Sequence, residues 1–179
     1  IGDIAGNPML AHKASHEGRT AVEAIAGHKV VFEPQAIPAV VFTDPEVAHV
    51  GLSAEDADTR RPDVQTITVP LSDVDRAVLD DETEGFVRVH HTRGRLLGCT
   101  IVAAHAGEMI GQASDAIARG ATLDAFSSTI YAYPTQVEAL TTVQFGAFTT
   151  YQVPLLSLGT PLVLDLTGNG IETLGIADG

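Results

Sequence analysis

Three runs between residues 64 and 103 constrain the fold most: VQTITV (64–69), GFVRVHH (85–91) and RLLGCTIVA (95–103). Each is rich in β-branched or alternating apolar residues, the pattern of strands with one buried face. The last two are separated only by TRG, a tight-turn signal. Three consecutive strands joined in this way predict an antiparallel sheet.

The flanking segments read as helices. PMLAHKASHEGRTAVEAIA (8–26) spaces Met9, Leu10, Ala14, Ala21, Val22 and Ile25 at three- and four-residue intervals, with Pro8 expected in the first turn and Gly27 as the stop. Ile37 to Phe42 is an apolar β-type run broken by Asp44-Pro45, and Ser53 with Asp56 three positions on predicts a capped short helix. The intervening segment is expected as turn. GEMIGQASDAIARG (107–120) places Met109, Ile110, Ala113, Ile117 and Ala118 on one helical face and ends at Gly120. A second helix follows, then the corner YAYPTQVEAL (131–140), where a proline after an extended residue leads into a helical start. Strands followed by helices argue an α+β fold, an antiparallel sheet flanked by helices. Beyond about Leu140 the chain is almost uncharged and loses helical period, so residues 144–179 form a separate, unassigned apolar segment.

Charge excludes some partners. With 10 basic and 23 acidic residues the net charge is -13, which repels phosphate backbones and anionic membrane surfaces. Nucleic acid and membrane are therefore not expected as partners. No uninterrupted apolar run approaches the roughly 20 residues a membrane-spanning helix needs. Cys99 is the single cysteine, so the chain carries neither a disulfide framework nor a redox cysteine pair. The first residue is Ile1 rather than Met, and IGDIAG is expected to continue a fold begun upstream.

IGDIAGNPMLAHKASHEG, AVVFTDPEVAHVGLS, ETEGFVRV, LLGCTIVAAHAGEMI and YPTQVEAL, in this order, resemble the flavin-dependent pyridine nucleotide–disulfide oxidoreductases, a family that includes dihydrolipoamide dehydrogenase, glutathione reductase and mercuric reductase. The resemblance covers about three-quarters of the chain. It implies that residues 1–28 are the end of an FAD-binding domain, with its last helix, and that 29–143 are a dimerisation domain. It further implies FAD and NAD(P)H as cofactors of the whole enzyme, a homodimer, and a cytoplasmic location. Carried over, Gly2 and Asp3 form the Gly-Asp motif whose carboxylate holds the ribityl hydroxyls. Met9, Leu10, Ala11 and His12 would meet the flavin edge at a helix N-terminus, where backbone N–H groups and the positive dipole end suit an electron-rich ring.

The chain departs from the family in lacking both Gly-rich nucleotide fingerprints and the cysteine pair. It is therefore expected to hold FAD weakly or not at all and not to catalyse alone. The disulfide reductases usually have histidine before the Pro-Thr, oriented by a glutamate as an interface acid–base; here Tyr133 stands at that place, with Glu138 following. A phenol of ordinary pKa near 10 does not cycle protons at pH 7 as an imidazole does. Tyr133 thus points away from a dithiol substrate and toward the mercuric-reductase-like subgroup. Two readings stay open for each residue: Tyr133 binds substrate or metal, or packs at the dimer interface; Glu138 serves the site, or is a first-turn carboxylate favoured by the helix dipole.

Three weaker patterns remain. His12 and His16 share a helical face at a zinc-compatible spacing, with no third ligand in view. His90 and His91 are adjacent on a strand and point to opposite faces. Asp165, Thr167, Asn169 and Gly170 occupy the first half of a calcium-loop pattern, but Ile176 stands where the bidentate carboxylate belongs. PLVLDLTGNGIETLGI also resembles haemolysin-type calcium-binding segments, and a non-enzymatic interaction module or a secreted calcium-binding protein are the alternative functions.

Overall fold

In a computed structural model of the chain, residues 1–60 and 63–143 are described. The apolar tail at 144–179, with its calcium-loop pattern, lies outside them. The first helix, α1 (Ala11–Ile25), is preceded by a 3₁₀ turn, Gly2–Ala5. The order then runs β1 (Ala39–Val41), β2 (Glu46–Gly51), α2 (Ala54–Arg60), β3 (Gln65–Pro70), a 3₁₀ turn Leu71–Asp73, and α3 (Asp75–Leu79). The chain continues through β4 (Phe86–Thr92), β5 (Arg95–Ala103), α4 (Ala106–Ala118), α5 (Leu123–Ser128) and a last 3₁₀ turn, Gln136–Glu138.

The five strands form one antiparallel sheet in the order β1-β2-β5-β4-β3. The expected α+β architecture is the one observed, and the three runs that predicted it are β3, β4 and β5. Arg93 (φ 49°) and Gly94 (φ 80°) form the two-residue β4–β5 turn, both in the left-handed conformation that matches strand twist. β2 was missed by sequence reading. EVAHVG inserts only Ala48 and Val50 fully into the core and follows directly on Pro45, so its alternation is short and its inward residues are small.

α4 lies across β2 and β5. Ala106, Met109, Ile110, Ala113 and Ala116 are its buried positions, in one core with Val50, Val87, Val89, Cys99 and Ile101. Ala118, expected on that face, is exposed, because the stripe is completed by Ala116, two positions earlier and so on the opposite side of the helix. Glu46 of β2 accepts a hydrogen bond from the Gly107 N–H across 2.9 Å, so a strand carboxylate serves the orphan donors at the start of α4. Gly98 is required where β5 passes Leu52, since a Cβ there would collide with the Leu52 backbone. The Ser53 cap of α2 is as expected: the Asp56 N–H donates to Ser53 Oγ at 3.1 Å.

α1 differs in kind. Pro8 precedes the helix rather than opening it, and Leu10 is the N-cap. Its single buried side chain is Lys13, while Met9, Val22 and Ile25 are exposed. Among the described residues, α1 packs mainly on the Gly2–Ala5 turn.

Candidate functional site: the Tyr133 corner

The corner at 131–138 is held from behind by Ala139, Leu140 and Val143, all fully buried. Complete burial of an aliphatic side chain such as Leu140 contributes about 1.5–3 kcal/mol, so the segment is pinned just after the corner. Pro134 follows Tyr133 through a cis peptide, and the chain turns into Gln136–Glu138. The Thr135 N–H donates to Glu138 Oε2 at 3.2 Å, and the Glu138 N–H returns to the Thr135 carbonyl at 3.3 Å. Glu138 is thereby engaged as a capping carboxylate.

Tyr133 is 70% exposed, and its hydroxyl donates to Asp75 Oδ2 at 2.9 Å. That bond, joined by the negative charge of Asp75, raises the phenol above its ordinary pKa; Glu138 adds a smaller push in the same direction. Tyr133 is therefore a neutral hydrogen-bonding group at physiological pH. The fold brings Tyr133 and Glu138 to one turn but directs their hydrogen bonds to different partners. Asp75, 58 positions from Tyr133, was missed by sequence reading because nothing local marks it.

Behind the corner lies a cleft of about 450 Å³ lined by Arg76, His105, Glu108, Gln112, Thr135 and Gln136, among others. Gln136 is only 8% exposed. Its two amide atoms, and Gln112 Oε1, are buried without a hydrogen-bond partner.

The second expected site, at the N-terminus, is organised by α1. The Gly2 N–H donates to Glu17 Oε2 at 2.7 Å; Lys13 Nζ pairs with Glu17 at 2.6 Å and donates to the Gly6 carbonyl at 3.1 Å. The bond from Lys13 is the chief reason the Glu17 carboxyl sits below its usual pKa. This lattice fixes the loop that carries Asp3, whose side chain faces solvent. Leu10 caps α1 without a side-chain hydrogen bond, leaving the first-turn N–H groups at Ala11 and His12 open. Met9 is 63% exposed, and His12 Nε2 lies 2.7 Å from the Pro38 carbonyl. An outward carboxylate and an uncapped helix N-terminus are the donor and acceptor set that a polyhydroxyl chain and an electron-rich ring require.

Cys99 is fully buried, and burial pushes its thiol up to about 12. It is a core residue, as its strand position suggested. His90 and His91 are both buried beside a ladder irregularity. His90 Nδ1 pairs with Thr66 Oγ1 at 2.8 Å, whereas His90 Nε2 and His91 Nδ1 have no partner. Among the described residues no group of three or more His, Cys, Asp or Glu is arranged to hold a metal ion. Nor is any of their helices long and apolar enough to cross a membrane.

Residues 37–144 match the family model of the pyridine nucleotide-disulphide oxidoreductase dimerisation domain. A dihydrolipoyl dehydrogenase from Halobacterium salinarum is 45% identical over 141 residues, which are 78% of this chain and 30% of that protein. A dihydrolipoyl dehydrogenase from Geobacillus stearothermophilus is 42% identical over 137 residues, 75% of this chain and 29% of that protein. The chain thus spans about 30% of the length of the curated relatives it matches. The crystal structure of LpdA (Rv3303c) from Mycobacterium tuberculosis superposes with a TM-score of 0.74 at 30% identity, covering 79% of this chain and 32% of that one. The HOCl-induced flavoprotein disulfide reductase RclA from Escherichia coli shares the fold, with a TM-score of 0.74 at 22% identity over 79% of this chain and 34% of that one. With the family model spanning more than half its residues and an α+β fold to match, the chain belongs to the pyridine nucleotide-disulphide oxidoreductase family and contains that family's dimerisation domain.

Proposed function

We propose that this chain is the C-terminal, dimer-forming part of an FAD-dependent NAD(P)H oxidoreductase, in which Tyr133 and Glu138 are presented to the flavin site of the other subunit. Residues 1–28 would complete an FAD-binding domain and residues 29–143 would pair two copies. The observation that carries this reading is the match of residues 37–144 to the dimerisation-domain model, together with an exposed Tyr133 at their corner.

FAD, when bound in the parent enzyme, supplies the group that takes hydride from NAD(P)H and passes electrons on. The residues of this chain do the rest of what is proposed. Asp3 accepts hydrogen bonds from the ribityl hydroxyls, Gly2 lets the loop turn beside them, and Met9, Leu10, Ala11 and His12 offer the uncapped start of α1 to the ring. Tyr133 is held neutral with its one O–H donated to Asp75, so its oxygen is left to accept a hydrogen bond or meet a cation rather than cycle a proton. Glu138 holds the turn through the Thr135 N–H. This supports a parent of the mercuric-reductase-like kind, acting on a metal or other non-dithiol acceptor, although the relatives above are named dihydrolipoyl dehydrogenases. We place the parent in the cytoplasm, in keeping with a single, buried cysteine.

Light scattering on the purified chain tests the reading. Colourless dimers at micromolar concentration are expected, since the pyrophosphate-binding fingerprint is missing from the chain. Monomers at every concentration would contradict the assembly role, and tightly held yellow flavin would contradict weak FAD binding.

A further inference from the structure

Val50, Cys99 and Val89 face α4, so the next row of the ladder, Gly51, Gly98, His90 and Thr66, faces the other side of the sheet. The β2–α2 link crosses this row. The Leu52 backbone lies against Gly98 closely enough to leave no room for a Cβ, and the Leu52 N–H donates to the Leu97 carbonyl at 2.9 Å. Leu97 is the residue that the β4–β5 ladder skips, between the His90–Gly98 and His91–Leu96 pairs. His90 is the one large side chain in the row, and it is 1% exposed. Its Nδ1 pairs with Thr66 Oγ1 at 2.8 Å, while its Nε2 is buried without a partner. Little else seats α2: among its described side chains only Ala57 is buried. Local opening of residues 52–60 is therefore the least costly way to bring water to His90.

We propose that His90 is a proton-operated latch: the neutral ring lets residues 52–60 close over the sheet, and the protonated ring releases them. A neutral imidazole leaves one nitrogen unsatisfied there, whereas an imidazolium would bring a charge and an Nε2–H with no acceptor into the same buried place. The surroundings offer that charge little relief. Arg88 on the same strand face, His49 on β2 and His91 all oppose it, and only Asp58, on α2 itself, favours it. From β3 and β5 the row brings Thr66 and Gly98, which do not titrate at these pH values. The latch acts on the side of the sheet away from α4 and stands independently of the function proposed above.

Hydrogen exchange read by NMR at about pH 7.5 and about pH 5.5, on either side of the ordinary imidazole pKa, tests it on the wild type, His90→Asn and His91→Asn, each rate being divided by that of an unstructured peptide at the same pH. In the wild type the amides of 52–60 should exchange faster than those of β5 at both values. Their protection should fall about tenfold toward the lower pH, as expected when the open state takes up one proton at an ordinary imidazole pKa near 6.5. His90→Asn keeps an amide to pair with Thr66 but does not titrate, so the fall should vanish. His91→Asn should keep it, since His91 pairs with Leu96 on the α4 side. No fall in the wild type, a fall that survives His90→Asn, or exchange of 52–60 no faster than β5 would overturn the inference. Should circular dichroism show His90→Asn misfolded, the wild type decides: the His90 ring proton and the 52–60 amide shifts should titrate with one shared midpoint below the ordinary imidazole value. Separate midpoints would overturn the latch.

Discussion

The Tyr133 hydroxyl and the Asp75 carboxylate, 58 residues apart, meet at 2.9 Å and tie the Pro134 corner to the start of α3. Because the carboxylate accepts from the phenol, ionising the phenol breaks the bond and sets two negative charges side by side. The folded pKa lies above the unfolded value near 10, so the contact's stabilisation is complete below about pH 10 and is lost as pH rises through the folded pKa. In an ultraviolet titration, the tyrosinate signal absent from Tyr133→Phe should appear later than that of a free tyrosine. Asp75→Asn should shift it to lower pH, and an unshifted curve would mean that the bond does not persist in solution.

The buried histidines predict the opposite flank of the pH profile. Burial holds His90 and His91 below the ordinary imidazole pKa; nearby Arg88, His49 and His91 reinforce this for His90, while Asp58 opposes it. The unfolded chain therefore binds more protons than the folded one just below about pH 6.5. Stability should be full above that pH and fall as pH drops from there toward the folded pKa values. His90→Asn should flatten the decline in melting temperature between pH 7 and pH 5, measured by calorimetry.

Cys99 should be silent toward thiol reagents. A thiol fully buried and pushed up to about 12 presents almost no thiolate at pH 8. Labelling is expected only in denaturant, with the rate following unfolding; prompt labelling of the native chain would contradict its core position.

Two glycines predict opposite outcomes. Gly98→Ala forces a Cβ into the Leu52 backbone and should destabilise by about 1–3 kcal/mol. Gly111→Ala, in mid-α4 with nothing within 4 Å of the new Cβ, should stabilise by about 0.5–1 kcal/mol. Denaturant melts of the two variants provide the comparison.

Much of the fold was legible because its signals are local. β3, β4, β5 and the Arg93-Gly94 turn follow from β-branched alternation and a short loop, and the Ser53 cap from residues three apart. β2 was hidden because its inward residues, Ala48 and Val50, give too small an apolar signal until β5 and α4 enclose them. The candidate site was legible only by half. Tyr133 and Glu138 stand in one motif, yet Asp75, which fixes the phenol's charge state, and Gln112, which shares a cleft with Gln136, are joined to the corner only by tertiary packing. The unpaired amide of Gln136 likewise exists only once the cleft does.

On the function proposed here, the Tyr133 corner lies where two copies of this chain meet. Hydrogen exchange of the purified chain, followed by mass spectrometry at dilute and concentrated protein, tests it most directly. The predicted result is protection of residues 130–138 and of α3 that rises with concentration, while α1 exchanges at the same rate throughout. Exchange at the corner independent of concentration, in a sample that dimerises, would contradict the claim.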